Sequence, residues 1–393
     1  MRHQLVKSAL FILACCAAAT SLSVNADSRF ITTERFVPHV STAPANEGER
    51  VGLYVREKMS VAAADRWQAG QSLEGRVVLF VHGGSVSSIP DYDLDYKDYS
   101  WMEYLAEAGF DTFTMDHTGY GRSPRPNMDD ACNMSPEDQK LVMPHPLSGP
   151  CDPSVSHWLS TTQSDWHELE TVVDYMRELR GVERVSLVGW SAGGTRSGGY
   201  TARNPDKVDK LFLYAPGYRR TRTEREGPAV PMRLQTYETL TQGRWEANVA
   251  CENQVDPGIR DVIWDTAMAF DPLGSVWGPS HGVMRVRTSG PYIADGPQWD
   301  REGAARVASP TMIVVGAQDN PESRGVLYED LTGTDSRVFV TMDCSTHFTV
   351  WETAQYKFLH RASLEWLTEG NFNGHSNGVY RVGVNGSNPT RQR

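Results

Sequence analysis

Val185-Ser186-Leu187-Val188-Gly189-Trp190-Ser191-Ala192-Gly193 is the stretch on which the fold turns. Its first four residues carry no regular polar alternation and read as a strand buried on both faces. Glycines stand two residues before and two residues after Ser191, and a helical pattern follows. A serine between small residues on a tight strand-to-helix turn has its hydroxyl lifted above the sheet. The helix that begins there aims unpaired N–H groups at any nearby anion. A bare Gly-x-Ser-x-Gly occurs by chance, and its place between a strand and a helix is what gives it meaning.

Outward from this turn, short β-rich runs alternate with helical patterns. Arg76 to Val81 reads as a buried strand, followed by a helical stretch from Trp101 to Ala108 that stops at Gly109. Thr112 to Met115 is the next strand, ending in Asp116. From Asp165 to Leu179, apolar residues at Trp166, Leu169, Val173, Met176 and Leu179 form a helical stripe closed by Gly181. Further strands are expected at Leu211–Tyr214, Met312–Val315 and Val338–Val340, and a last amphipathic helix over Trp351–Glu369. This alternation predicts an α/β fold: a mostly parallel sheet with helices on both faces.

Two stretches interrupt it. Residues 122–160 are long for a strand-to-helix link and carry several prolines and two cysteines, which suggests a stapled surface excursion. Residues 218–300 lie between core strands and hold Tyr237, Trp245, Trp264, Phe270, Trp277, Tyr292 and Trp299, the composition of a cap with an apolar underside. The expected organisation is a signal over residues 1–26, a core over 27–217 with the excursion at 122–160, a cap over 218–300, the rest of the core over 301–370, and a loose tail over 371–393 rich in Gly and Asn.

The signal expectation rests on Arg2, His3 and Lys7, then an apolar run from Ala9 to Ala19 too short to span a bilayer, then Val24-Asn25-Ala26 as a peptidase site. It implies export, to the periplasm or beyond. Ile12-Leu13-Ala14-Cys15 offers a lipoprotein site as the minority alternative, and no later segment is apolar enough for stable membrane insertion. Beyond the signal stand Cys132, Cys151, Cys251 and Cys344, an even set that suits disulfides in an exported chain. Nearness in sequence favours Cys132 with Cys151 and leaves Cys251 for Cys344; four free thiols are the alternative. A net charge of −11 argues against nucleic acid as a partner. A small-molecule substrate is the expected partner, and the oligomeric state is not legible.

The chain resembles the α/β-hydrolase family at four places. Gly189–Gly193 matches its nucleophile elbow, and His82-Gly83-Gly84 follows a strand as its oxyanion loop does. Asp116-His117-Thr118-Gly119-Tyr120-Gly121-Arg122-Ser123 matches a family turn, and Gly316-Ala317-Gln318-Asp319 stands where the family often places its acid. The resemblance spans roughly residues 50–217 and 305–370, and leaves out the cap, the excursion and the tail. It implies Ser191 as nucleophile, Asp319 as acid and His347 as base, in the family's chain order, with the N–H groups of Gly84 and Ala192 as oxyanion donors. A rival acid after Leu211–Tyr214 finds no carboxylate in Ala215-Pro216-Gly217. His82 and Asp116 are expected to organise their loops. His117, His157 and His167 are expected at the surface or in packing.

Asp91, Asp93, Asp95 and Asp98 have the look of a calcium loop, but Tyr96 occupies the glycine position and Met102 the final ligand position. A solvated acidic loop is expected instead, with no metal and no cofactor. The expected activity is that of an exported carboxylesterase acting on a small or medium-sized apolar or aromatic ester through an acyl-enzyme. Peptidase, thioesterase, lactonase and carbon–carbon bond hydrolase chemistry use the same groups, and a non-catalytic binding protein is the remaining alternative.

Overall fold

The computed structural model of the protein describes residues 29–143, 147–221, 230–288 and 296–392. The expected signal, the lipoprotein site at Cys15 and the cap residue Tyr292 lie outside these residues. In chain order the strands are β1 (Phe30–Val40), β2 (Arg50–Ser60), β3 (Val77–Val81), β4 (Asp111–Met115), β5 (Val185–Trp190) and β6 (Val208–Tyr214). They continue with β7 (Met232–Gln235), β8 (Met284–Arg287), β9 (Thr311–Gly316), β10 (Arg337–Met342), β11 (Gly378–Val382) and β12 (Thr390–Arg391). The helices are α1 (Val61–Gln68), α2 (Ser88–Tyr92), α3 (Trp101–Glu107), α4 (Pro136–Gln139) and α5 (Thr162–Arg180). After them come α6 (Ala192–Arg203), α7 (Ile259–Ala269), α8 (Arg301–Arg306), α9 (Pro321–Asp330) and α10 (Gln355–Glu369).

The main sheet runs β1-β2-β4-β3-β5-β6-β9-β10-β11-β12. It is parallel from β4 across to β11, with β2 antiparallel to β4, and β1 and β12 antiparallel at the two edges. Burial on both faces explains the unbroken apolar runs of its centre. Along β3, Val78 and Phe80 pack with Trp101, Leu105 and Trp366 on one face, while Val77, Leu79 and Val81 pack with Leu169, Val173 and Met176 on the other. Helix α5 starts on a Thr161–Ser164 capping box and stops at Gly181, which takes φ 63°.

Three segments differ from expectation. The tail adds β11 and β12 to the sheet, because Tyr380 and Val382 supply two buried side chains that join the core around Phe358 and Phe372. The N-terminal hairpin β1–β2 pairs over eleven positions and was not visible in the sequence; one face of the outer strand is exposed, and its other face buries only Val37 and His39. The excursion is more than a surface feature. Cys132 is bonded to Cys151 as expected, but Met128, Met134 and Leu159 share a small core with Met232, Leu234 and Val283 of the stretch 218–300. The two irregular stretches therefore build one structure together. Within it β7 and β8 pair as a separate antiparallel ribbon. Among the described residues no helix is long and apolar enough to cross a membrane.

Candidate active site

Ser191 stands between the end of β5 and the start of α6 with φ 56° and ψ −116°, a conformation L residues rarely adopt. The turn holds because its surroundings leave it no alternative. Ser191 N–H donates to Tyr214 O at 3.0 Å. A Cβ on Gly193 would lie 1.9 Å from Val81 O, and one on Gly189 would lie 2.7 Å from Gly193 O. Both glycines are thus required by close backbone approach, which is the physical content of the motif.

His347 comes from the loop after β10, and its Nε2 lies 2.9 Å from Ser191 Oγ. Its Nδ1 lies 2.8 Å from Asp319 Oδ2. A carboxylate at Nδ1 holds the ring proton there and leaves Nε2 to accept from the serine hydroxyl. The ring is held from behind as well. Trp190 Nε1 donates to His347 O at 2.8 Å, and the Tyr214 hydroxyl donates to Thr346 O. Buried Glu352 accepts from Thr346 N–H at 3.1 Å and from Thr346 Oγ1 at 2.5 Å.

Asp319 follows β9, where Gly316 lets the acid loop pass backbone to backbone against Ser345; a Cβ there would lie 2.2 Å from Ser345 O. Arg324 then fixes the carboxylate. Its Nη2 donates to Asp319 Oδ1 at 3.0 Å, while its Nη1 donates to Ala215 O and Pro216 O at 2.9 and 2.7 Å. Sequence reading missed Arg324. Its one signal was a cation five residues after the acid on a helix opened by Asn320-Pro321.

The loop carrying Gly84 lies against Ala192: a Cβ on Gly84 would stand 3.4 Å from the Ala192 Cβ. Among the described residues neither the Gly84 nor the Ala192 N–H meets an acceptor. The loop is shaped by buried polar groups. Asp91 accepts from Gly83 N–H at 3.0 Å, Arg196 Nη1 donates to His82 O at 3.0 Å, and His117 N–H donates to His82 Nε2 at 3.2 Å. His82 Nδ1 sits 2.7 Å from Gly83 O, so it carries the ring proton and Nε2 is the acceptor. Burial keeps His82 neutral, its pKa well below the ordinary value, and pushes the Asp91 carboxyl well above its own. Asp116 accepts from Ser88 and Arg122 N–H groups at 2.9 Å each. Both residues are loop organisers, as their positions suggested.

The acidic loop differs from expectation. Asp91 and Asp93 are buried rather than solvated, since Arg56 and Lys58 of β2 cross to Asp93 at 2.8 and 2.6 Å. His117, Asp165 and Glu168 bring potential ligand atoms within 4.8 Å of one another. Arg196 and Arg287 each reach Asp165 at 2.8 Å, and His117 Nδ1 lies 2.7 Å from Glu168 Oε2. Burial and Asp165 push the Glu168 carboxyl up to about 7. The second cysteine pair joins Cys251, in the stretch 218–300, to Cys344, three residues before His347.

The family model of the alpha/beta hydrolase fold matches residues 76–249. No curated protein matches the sequence. Among solved structures, a serine hydrolase involved in carbazole degradation is 16% identical, with 86% of this chain and 99% of that chain covered at a TM-score of 0.50. A meta-cleavage product hydrolase from Pseudomonas fluorescens IP01 is 15% identical, covering 86% of this chain and 98% of its own at a TM-score of 0.48. A 2-hydroxy-6-oxo-6-phenylhexa-2,4-dienoate hydrolase from Rhodococcus sp. strain RHA1 is 13% identical, covering 85% and 99% at a TM-score of 0.48. The strand order, the strained serine turn and the family model over residues 76–249 agree that the chain has the α/β-hydrolase fold.

Proposed function

We propose that the protein is an exported serine hydrolase that cleaves a carboxylic ester of small or medium size with an apolar or aromatic part. The observation that carries this reading is the continuous chain Ser191–His347–Asp319, with contacts of 2.9 and 2.8 Å. His347 Nε2 takes the hydroxyl proton as Ser191 Oγ adds to the ester carbonyl, and Asp319 stabilises the resulting imidazolium. The oxyanion settles against the N–H groups of Gly84 and Ala192, which have no competing acceptor among the described residues. His347 then gives its proton to the leaving alcohol, and water activated by the same ring releases the acid and restores Ser191. The partners are a small-molecule substrate and water. Phe348 and Trp190 pack around His347 with ring centres 5.5 and 5.9 Å away, which supports an apolar or aromatic substrate part. Two disulfides support export, since such bonds persist in oxidising compartments.

Labelling by a fluorophosphonate, which requires an activated serine, tests the reading directly. Ser191→Ala is expected to lose the label and to lower kcat on p-nitrophenyl esters by roughly 10⁴-fold or more, with an unchanged circular dichroism spectrum. Retained turnover in that variant, or a folded wild type that takes no label, would sink it.

A further inference from the structure

The cap buries arginines in two ways. Where an arginine holds the fold together, a carboxylate comes with it: Arg285 is paired with Asp271 at 2.7 Å and Arg287 with Asp165 at 2.8 Å. Arg244 differs. It lies in the helical segment Thr239–Trp245 and is half-buried, and its Nη1 donates to two neutral groups, Ser85 Oγ at 2.5 Å and Gln235 Oε1 at 2.9 Å. Its charged neighbour is a second cation, Arg233, which also reaches Gln235 Oε1, at 3.5 Å. Among the described residues no carboxylate lies within ion-pair distance of either guanidinium. Burial and Arg233 hold the Arg244 pKa below its ordinary value, the sign of a cation lacking its counter-charge.

The position of that cation gives it a use. Ser85 is the residue after Gly84, and Phe348 is the residue after His347. Arg244 touches the first and stands 5.7 Å from the ring centre of the second, so it spans from the oxyanion loop to the histidine loop. Nε and Nη2 keep no protein partner among the described residues, leaving one edge of the planar fork for a bidentate acceptor. We propose that Arg244, backed by Arg233, binds a carboxylate of the substrate, so that the preferred ester carries a free acid group on its acyl side. This deepens the serine-hydrolase reading and rests on it for turnover. The distal carboxylate takes no part in the bond changes; water and ester still give acid and alcohol.

The test compares p-nitrophenyl butyrate with the mono-p-nitrophenyl ester of glutaric acid. In wild type the glutarate ester is expected to have the higher kcat/KM. Arg244→Gln should shift the glutarate-to-butyrate ratio at least tenfold toward the neutral ester, mainly through KM, and Arg244→Lys should recover part of it. A smaller shift, with both esters falling in parallel, overturns the proposal and leaves Arg244 as a support for the Ser85 loop. Binding is read separately from turnover, by titrating both esters into Ser191→Ala protein. Tighter binding of the glutarate ester, lost on adding Arg244→Gln, supports the carboxylate site; equal affinities overturn it. Failure of the serine reading shows elsewhere, as an unlabelled wild type in the fluorophosphonate assay.

Discussion

At the scale of single residues, the site is a matter of what the backbone excludes. Ser191 keeps its unfavourable φ because β3 and α6 press together with no room for a side chain at Gly193. Gly193→Ala would drive a methyl into Val81 O, a backbone atom that has no rotamer to give. The expected cost is about 3 kcal/mol of stability, with fluorophosphonate labelling reduced more than tenfold. Gly149→Ala is the control, since nothing lies within 4 Å of a Cβ there; its thermal midpoint should stay at the wild-type value. Equal midpoints for both variants would show that the turn tolerates bulk. This is also where sequence reading works best and where it stops. Ser191, Asp319 and His347 are brought together because each follows a strand end, and strand ends are legible from apolar runs. Arg324, Arg196 and Arg244 are not legible, because a lone arginine in a sequence says nothing about which carbonyl or carboxylate it will meet in space. Asp91 and Asp93 mislead for the same reason: their partners, Gly83 N–H and the side chains of Arg56 and Lys58, come from other strands and loops.

At the scale of elements, the central strands could be read to within a few residues, since burial on both faces leaves a run of apolar letters. The edges could not. Strand β1 is largely exposed, and β11 carries only three buried residues among glycines and polar neighbours. The loops of the site draw their order from contacts that join distant elements. Glu352 holds Thr346, and Cys344 is bonded to Cys251 across 93 positions. Closing a loop of that length contributes about 4.6 kcal/mol in the chain-entropy account. It also ties the stretch around Cys251 to the loop that carries His347. Replacing both cysteines, Cys251→Ser with Cys344→Ser, is expected to lower the thermal midpoint and to reduce turnover at temperatures where circular dichroism still reports a folded chain. Peptide mapping without reductant checks the pairing first. Activity that falls only in step with unfolding would mean that the bond stabilises the fold without positioning His347.

At the scale of the whole molecule, the interior holds imidazoles that burial keeps neutral, and this sets how the fold responds to acid. His360 sits inside α10 among the rings of Trp101, Tyr104 and Tyr356, at 5.6, 5.1 and 5.2 Å. Burial pulls its pKa from 6.5 down to about 3, against the attraction of Asp98. Between those values the unfolded chain binds a proton that the folded chain refuses, so stability rises with pH across that window and is lost as pH falls through it. The slope for one such group is about 1.4 kcal/mol per pH unit. Raised carboxylates act in the opposite sense: Asp111, pushed up to about 7 by burial and Glu57, favours the folded state as pH falls. The net curve therefore mixes both, and a single substitution separates them. His360→Phe keeps an aromatic ring in the cavity and removes the titration. The difference in unfolding free energy between variant and wild type should be constant above pH 7 and should grow in favour of the variant as pH drops from 6.5 toward 4. Urea unfolding at half-unit pH steps measures it. A difference that stays flat over that range would mean that the folded state accommodates the protonated ring, and that the acid sensitivity of the fold lies in His82 and His117, whose pKa values burial also depresses.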